Sequence, residues 1–164
     1  MTKRSVFAAG ATLLLTLVAA TSASAQIIRL TAKLSGANET PAKVVTGAFG
    51  FAECTVDIGK GGEINCTGSV FNLPSGATVG HIHVGGVDVS GPTVCNANIP
   101  PNISNDFGFT IGPCTSSSIR SRPDQGIRSF EDFVQAVLGE NTYVNVHSAV
   151  NPGGEVRGQL VLKP

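Results

Sequence analysis

Ile28-Arg29-Leu30-Thr31-Ala32-Lys33-Leu34-Ser35 sets Leu30, Ala32 and Leu34 in alternation with Arg29, Thr31 and Lys33. Successive side chains of a strand point to opposite faces, so this period of two predicts one buried and one wet face. The sequence that follows keeps the same character. Short runs rich in Val, Ile, Phe and Thr, broken by Gly, Asn and Pro, predict strands near 28–35, 46–57, 63–72 and 78–84. Two more are expected at 141–149 and 155–162, joined by Asn151-Pro152-Gly153-Gly154. A single helix is expected near 129–139. Ser129 can cap it, Asp132 brings negative charge to its first turn, and Phe130, Phe133, Val134, Val137 and Leu138 form one apolar stripe before Gly139. Together these elements predict an all-β sandwich or barrel with one short helix. Residues 85–128, dense in Gly, Pro, Asn and Ser, read as a long connection with one short strand around Phe107, Phe109 and Ile111. Such a connection serves either as a variable surface insertion or as an active-site lid.

Composition narrows the function. Of 164 residues, 41% are hydrophobic and 13% charged, a balance that excludes a disordered tail and leaves no basic block for nucleic acid. Lys3 and Arg4 precede an apolar stretch from Val6 to Ala20, and Ala23-Ser24-Ala25 supplies the small residues of a cleavage site, so residues 1–25 read as a signal peptide. About 15 apolar residues fall short of the roughly 20 that span a bilayer. The mature chain, residues 26–164, is expected to be one domain without a membrane span, secreted or periplasmic. Removal of Lys3 and Arg4 leaves nine cationic against eleven acidic side chains, a formal charge of −2 with histidine neutral. Attraction for a small anion would therefore have to come from local residues.

Four cysteines in an exported domain are most simply two disulfides. Cys54 and Cys66 flank the turn Gly59-Lys60-Gly61-Gly62, and a hairpin centred on residue 60 sets them directly opposite each other. Cys95 is left for Cys114, a bridge that would tie down the long connection. No C-x-x-C spacing supports a thiol metal or redox site.

The chain has three histidines, His81, His83 and His147. In Gly80-His81-Ile82-His83-Val84 the two imidazoles lie two apart on a strand and project from one face, their roots roughly 7 Å apart. In Tyr143-Val144-Asn145-Val146-His147 the third shares a face with Asn145 and Tyr143, while Val144 and Val146 point to the core. If the two strands are neighbours, three neutral imidazoles converge on one ion. Imidazole suits copper, zinc, iron and nickel, with Cu(II) at the top of the divalent affinity order. Three histidines with an open position also suit catalytic zinc, but no carboxylate stands beside either motif as a general base and there is no H-E-x-x-H. An H-x-H on a strand is common without a metal; the third histidine on a second strand is what favours an ion. Asn145 reads either as orienting a histidine ring through its amide or as satisfying backbone groups, and Tyr143 as capping a core edge more readily than as serving redox chemistry.

Several blocks of the chain resemble those of the CHRD domain, named for its occurrence in chordin, an extracellular antagonist of growth factors. They are Leu34-Ser35-Gly36-Ala37-Asn38-Glu39-Thr40-Pro41, Gly80-His81-Ile82-His83, Tyr143-Val144-Asn145-Val146-His147 and Asn151-Pro152-Gly153-Gly154-Glu155-Val156-Arg157-Gly158-Gln159-Leu160. The likeness runs from about residue 28 to 162 and implies an extracellular module. A more distant resemblance, to copper-zinc superoxide dismutases, implies a Greek-key barrel in which His81, His83 and His147 hold one copper ion. It also implies that Arg157, after the Pro152-Gly153-Gly154 turn, guides the superoxide anion. That family's bridging and zinc histidines have no counterparts here, so no zinc is expected. Arg157 can otherwise be read as an ion-pair partner of Glu155 or another carboxylate. The functions to weigh are a copper-only superoxide dismutase, a copper carrier, and a non-catalytic module, homodimeric or binding an extracellular protein or matrix partner.

Overall fold

The computed structural model describes residues 26–59, 62–99 and 104–164. The leader expected over 1–25 and the tip of the first hairpin, residues 60–61, lie outside them. The described residues form nine strands and one α-helix: β1 (Ile27–Ser35), β2 (Phe49–Asp57), β3 (Glu63–Phe71), β4 (Ala77–Val84), β5 (Thr93–Asn98), β6 (Phe107–Cys114), α1 (Phe130–Leu138), β7 (Thr142–Ser148), β8 (Val156–Gln159) and β9 (Val161–Leu162). All pairings between them are antiparallel. The order β2-β3-β6-β5-β4-β7-β8-β1, with β1 also paired to β2, closes eight strands into a barrel. Closure leaves no long open edge. Within it, β4, β5 and β6 follow one another and β7 returns to lie beside β4, the four-strand pattern of a Greek key.

Alternation builds the core. Leu30, Ala32 and Leu34 of β1 are buried, as are Ala52, Cys54 and Val56 of β2, Ile82 and Val84 of β4, and Val144 and Val146 of β7. The β2–β3 register pairs Asp57 with Glu63 and Cys54 with Cys66, the hairpin centred on residue 60, and the Cys54–Cys66 disulfide forms directly across it. Ser129 Oγ accepts from the Asp132 amide at 3.2 Å and caps α1. Phe130, Phe133, Val134 and Val137 of the helix are buried, and Phe130 packs against Gly62 beside the β2–β3 turn.

Two expectations are corrected. The connection over 85–128 supplies two barrel strands, β5 and β6, so the Cys95–Cys114 disulfide joins neighbouring strands instead of pinning an irregular loop. In β5 the consecutive residues Val94 and Cys95 are both buried, and the β4–β5 register shifts between Ile82 and His83, which hides the alternation that marks a strand. The last strand is also divided. Leu160, fully buried, donates its amide to the Thr142 carbonyl at 3.0 Å, and the chain changes there from pairing with β7 to pairing with β1.

Candidate metal centre

Strands β4, β7 and β8 lie side by side, with His83 opposite Tyr143 and Tyr143 opposite Gln159, and with His81 opposite Asn145 and Asn145 opposite Arg157. His147, opposite Val79, lies one step diagonally from His81. All these side chains belong to the barrel's outer face. Yet β7 is buried along its whole length. The β1–β2 connection, the segment 85–92 and the turn over 149–155 fold across its outer side, as their contacts show. Asn38 Nδ2 donates to the Arg157 carbonyl at 3.0 Å, Gly91 meets Tyr143, and His147 meets Pro152.

One ligand atom from each of His81, His83 and His147 lies within 4.8 Å of the others, and His81 Nδ1 is 3.3 Å from His147 Nε2. Two of the rings have their tautomer set by carbonyl groups. His83 Nδ1 donates to Gly91 O at 2.8 Å and His147 Nδ1 to Pro152 O at 2.9 Å. A carbonyl only accepts, so each of these Nδ1 atoms carries the proton and each Nε2 offers a lone pair. His83 Nε2 is buried without a hydrogen-bond partner among the described residues. His147 Nε2 therefore accepts from His81 Nδ1, while the His83 Nε2 lone pair points at the same place without a donor; a cation that displaces the His81 proton would take all three nitrogens, so the residues fit a metal ion. Burial, reinforced by His83, His147 and Arg120, lowers the His81 pKa to about 4. Burial also lowers His83 to about 4, against its Gly91 hydrogen bond, and lowers His147. All three imidazoles are neutral at physiological pH, the protonation state that binds metal.

Around this cluster Tyr143 stacks on His83, with centroids 4.8 Å apart and planes 10° apart, and its hydroxyl donates to Gly91 O at 3.2 Å. Tyr143 and His83 thus share one anchor. Gly91 has no room for a side chain, because a Cβ there would run into the Val84 carbonyl oxygen. Asn145 turns its amide to Glu39 Oε2 at 3.3 Å and away from the imidazoles, so the ring-orienting role weighed for it falls to backbone carbonyls.

Arg157 differs most from expectation. Its guanidinium lies over the far face of Tyr143, 3.5 Å from the ring centroid, and donates to Thr40 Oγ1 and, at 2.6 Å, to Gly86 O. The residue is 2% exposed. Guiding an anion by contact needs an amino group turned outward, whereas here the planar cation is spent on stacking and on loop oxygens. Nor does it pair with Glu155, whose carboxylate accepts from Ser148 Oγ at 2.7 Å and Asn151 Nδ2 at 2.6 Å.

Glu39, quoted in a sequence block but given no role there, is 3% exposed beside Asn145. Desolvation raises its pKa to about 7, opposed by the Asn145 hydrogen bond and the Arg157 charge. Between about 4.5 and about 7 the folded chain therefore keeps a proton that the unfolded chain has released, and the Glu39 contribution to stability falls as pH rises through that window. Glu39→Gln removes this dependence. Urea midpoints of the two proteins from pH 4.5 to 7.5 are expected to move in favour of the variant as pH rises, and a constant difference would refute the assignment. Gly91 and Glu39 are the residues that sequence reasoning missed. For Glu39 the block carried a signal; for Gly91 there was none.

The hollow of about 410 Å³ between α1 and the β2–β3 turn shares no lining residue with the histidine cluster. No helix of the described residues is long and apolar enough to cross a membrane. The two disulfides suit an extracellular or otherwise oxidising compartment. Neither curated proteins nor solved structures give a match to the chain. Among protein families, the CHRD domain matches residues 30–160. That span takes in the barrel from within β1 to Leu160, with all three histidines and the loops that orient them, and the chain belongs to the CHRD domain family.

Proposed function

We propose that the mature chain, exported after loss of residues 1–25, binds one copper ion through His81, His83 and His147 and disproportionates superoxide. The observation that carries this reading is the convergence of three imidazole nitrogens within 4.8 Å, two of them with tautomers set by Gly91 and Pro152. Copper is favoured by the donor set, three neutral imidazoles with no carboxylate of the described residues hydrogen-bonded to any of the rings. The chemistry copper would supply is one-electron exchange with two superoxide anions, one oxidised to dioxygen and the other reduced and, with two protons, released as hydrogen peroxide. The chain's own part is to hold the rings. Gly91 O and Pro152 O set which nitrogen of His83 and His147 faces the ion, Tyr143 braces the His83 ring, and Arg157 braces Tyr143.

The deciding measurement is superoxide consumption by the copper-loaded protein, with the His83→Ala protein and free copper as controls. Rapid turnover lost with His83 is the expected result. Tight one-to-one copper binding without turnover would point to a carrier or a metal-stabilised module. No copper binding at all would leave a non-catalytic extracellular module.

A further inference from the structure

We propose that Arg120 and Arg122, on the segment that follows β6, draw a small anion to the histidine cluster. The role rests on the metal reading above, but it assigns anion attraction to residues that neither the sequence motifs nor the family likeness singles out. Their placement follows from the barrel. His81, Ile82 and His83 of β4 pair with Asn96, Cys95 and Thr93 of β5. The segment after β6 lies along the same stretch of β5, because the Arg120 amide donates to Val94 O at 2.8 Å and Arg122 Nε donates to Thr93 O at 2.9 Å. The Cys95–Cys114 disulfide clamps the start of that segment to β5. Its function here is to fix where the two cations stand.

Cations stand close to the neutral rings: Arg120 acts on His81, and Arg122 and Arg157 act on His83, while the carboxylates of Glu39 and Asp88 act on Arg157. Arg157 is buried with its amino groups engaged, whereas Arg120 is exposed and Arg122 half-exposed. Ion pairs among the described residues join Arg128 to Asp132 and Lys163 to Glu53, so neither Arg120 nor Arg122 is neutralised by one. The Arg122 bond to Thr93 O uses Nε and leaves both terminal amino groups without a partner among the described residues. A patch of free cations beside three neutral imidazoles, on a chain whose mature net charge is negative, raises the local concentration of a small anion and accelerates its arrival.

The test uses azide, an unreactive monovalent anion that ligates Cu(II), titrated spectroscopically into the copper-loaded protein at several ionic strengths. Arg120→Glu is expected to weaken azide binding about fivefold at low salt, and Arg120→Lys to keep it near wild type. The double variant Arg120→Gln, Arg122→Gln is expected to flatten the salt dependence while copper stoichiometry stays one to one. Full copper loading with unchanged azide affinity and salt slope in both Arg120→Glu and the double variant would overturn the arginine role alone. Failure of the wild-type protein to take up copper would overturn the metal reading and this role with it.

Discussion

His83→Ala is expected to abolish one-to-one copper uptake, with affinity falling by more than about 100-fold, the upper end of what the loss of a ligand's supporting partner costs. The substitution removes Nε2, the buried nitrogen without a hydrogen-bond partner among the described residues, and with it the ring that Gly91 O and Tyr143 hold in place. His81 Nδ1 and His147 Nε2, 3.3 Å apart, are left by the substitution, so weak two-coordinate binding is expected to persist. The fold should survive, because His83 lies on the outer face of the barrel while its neighbours Ile82 and Val84 fill the core. Calorimetric titration of copper into the wild-type and variant proteins, with circular dichroism to confirm folding, measures the effect. Undiminished stoichiometric binding by a folded His83→Ala protein would remove the histidine cluster as the site.

Arg157→Ala is expected to cost about 3 kcal/mol of folding stability, the scale on which a buried charge and its partners are disrupted. The guanidinium joins three parts of the molecule. It packs on Tyr143 of β7, and it donates to Thr40 of the β1–β2 connection and to Gly86 of the β4–β5 connection. Truncation leaves a cavity beneath the tyrosine and strips the Gly86 carbonyl of its donor, and it also removes the charge that opposes protonation of Glu39. Arg157→Lys should restore little, because an ammonium cannot lie flat on the ring and reach both oxygens. Urea denaturation of the metal-free proteins reads the loss directly. A midpoint for Arg157→Ala equal to that of wild type would show that the guanidinium is not structural and would return it to the guiding role. The salt dependence of anion capture, by contrast, should follow Arg120 and Arg122.

Local periodicity carried much of the architecture. The alternation from Ile28 to Ser35, the capped apolar stripe from Ser129 to Gly139 and the hairpin geometry of Cys54 and Cys66 each depend on residues close in the chain, and each stands in the fold as read. The histidine pair on β4 was visible for the same reason, since a spacing of two on a strand means one face. β5 was hidden because its buried residues do not alternate and its place is set by partners on β4 and β6.

Chain order and residue type were thus enough to name an all-β sandwich or barrel and to nominate His81, His83 and His147, because strand and helix periods are properties of neighbouring residues. The pairing of β4 with β7, the burial of Arg157 under Tyr143, the approach of Glu39 to Asn145 and the placing of Arg120 and Arg122 along β5 join segments remote in the chain. No local pattern encodes them, because each is the outcome of barrel closure and of connections folding back over its outer face, where long-range packing, and not intrinsic preference, fixes which side chains meet.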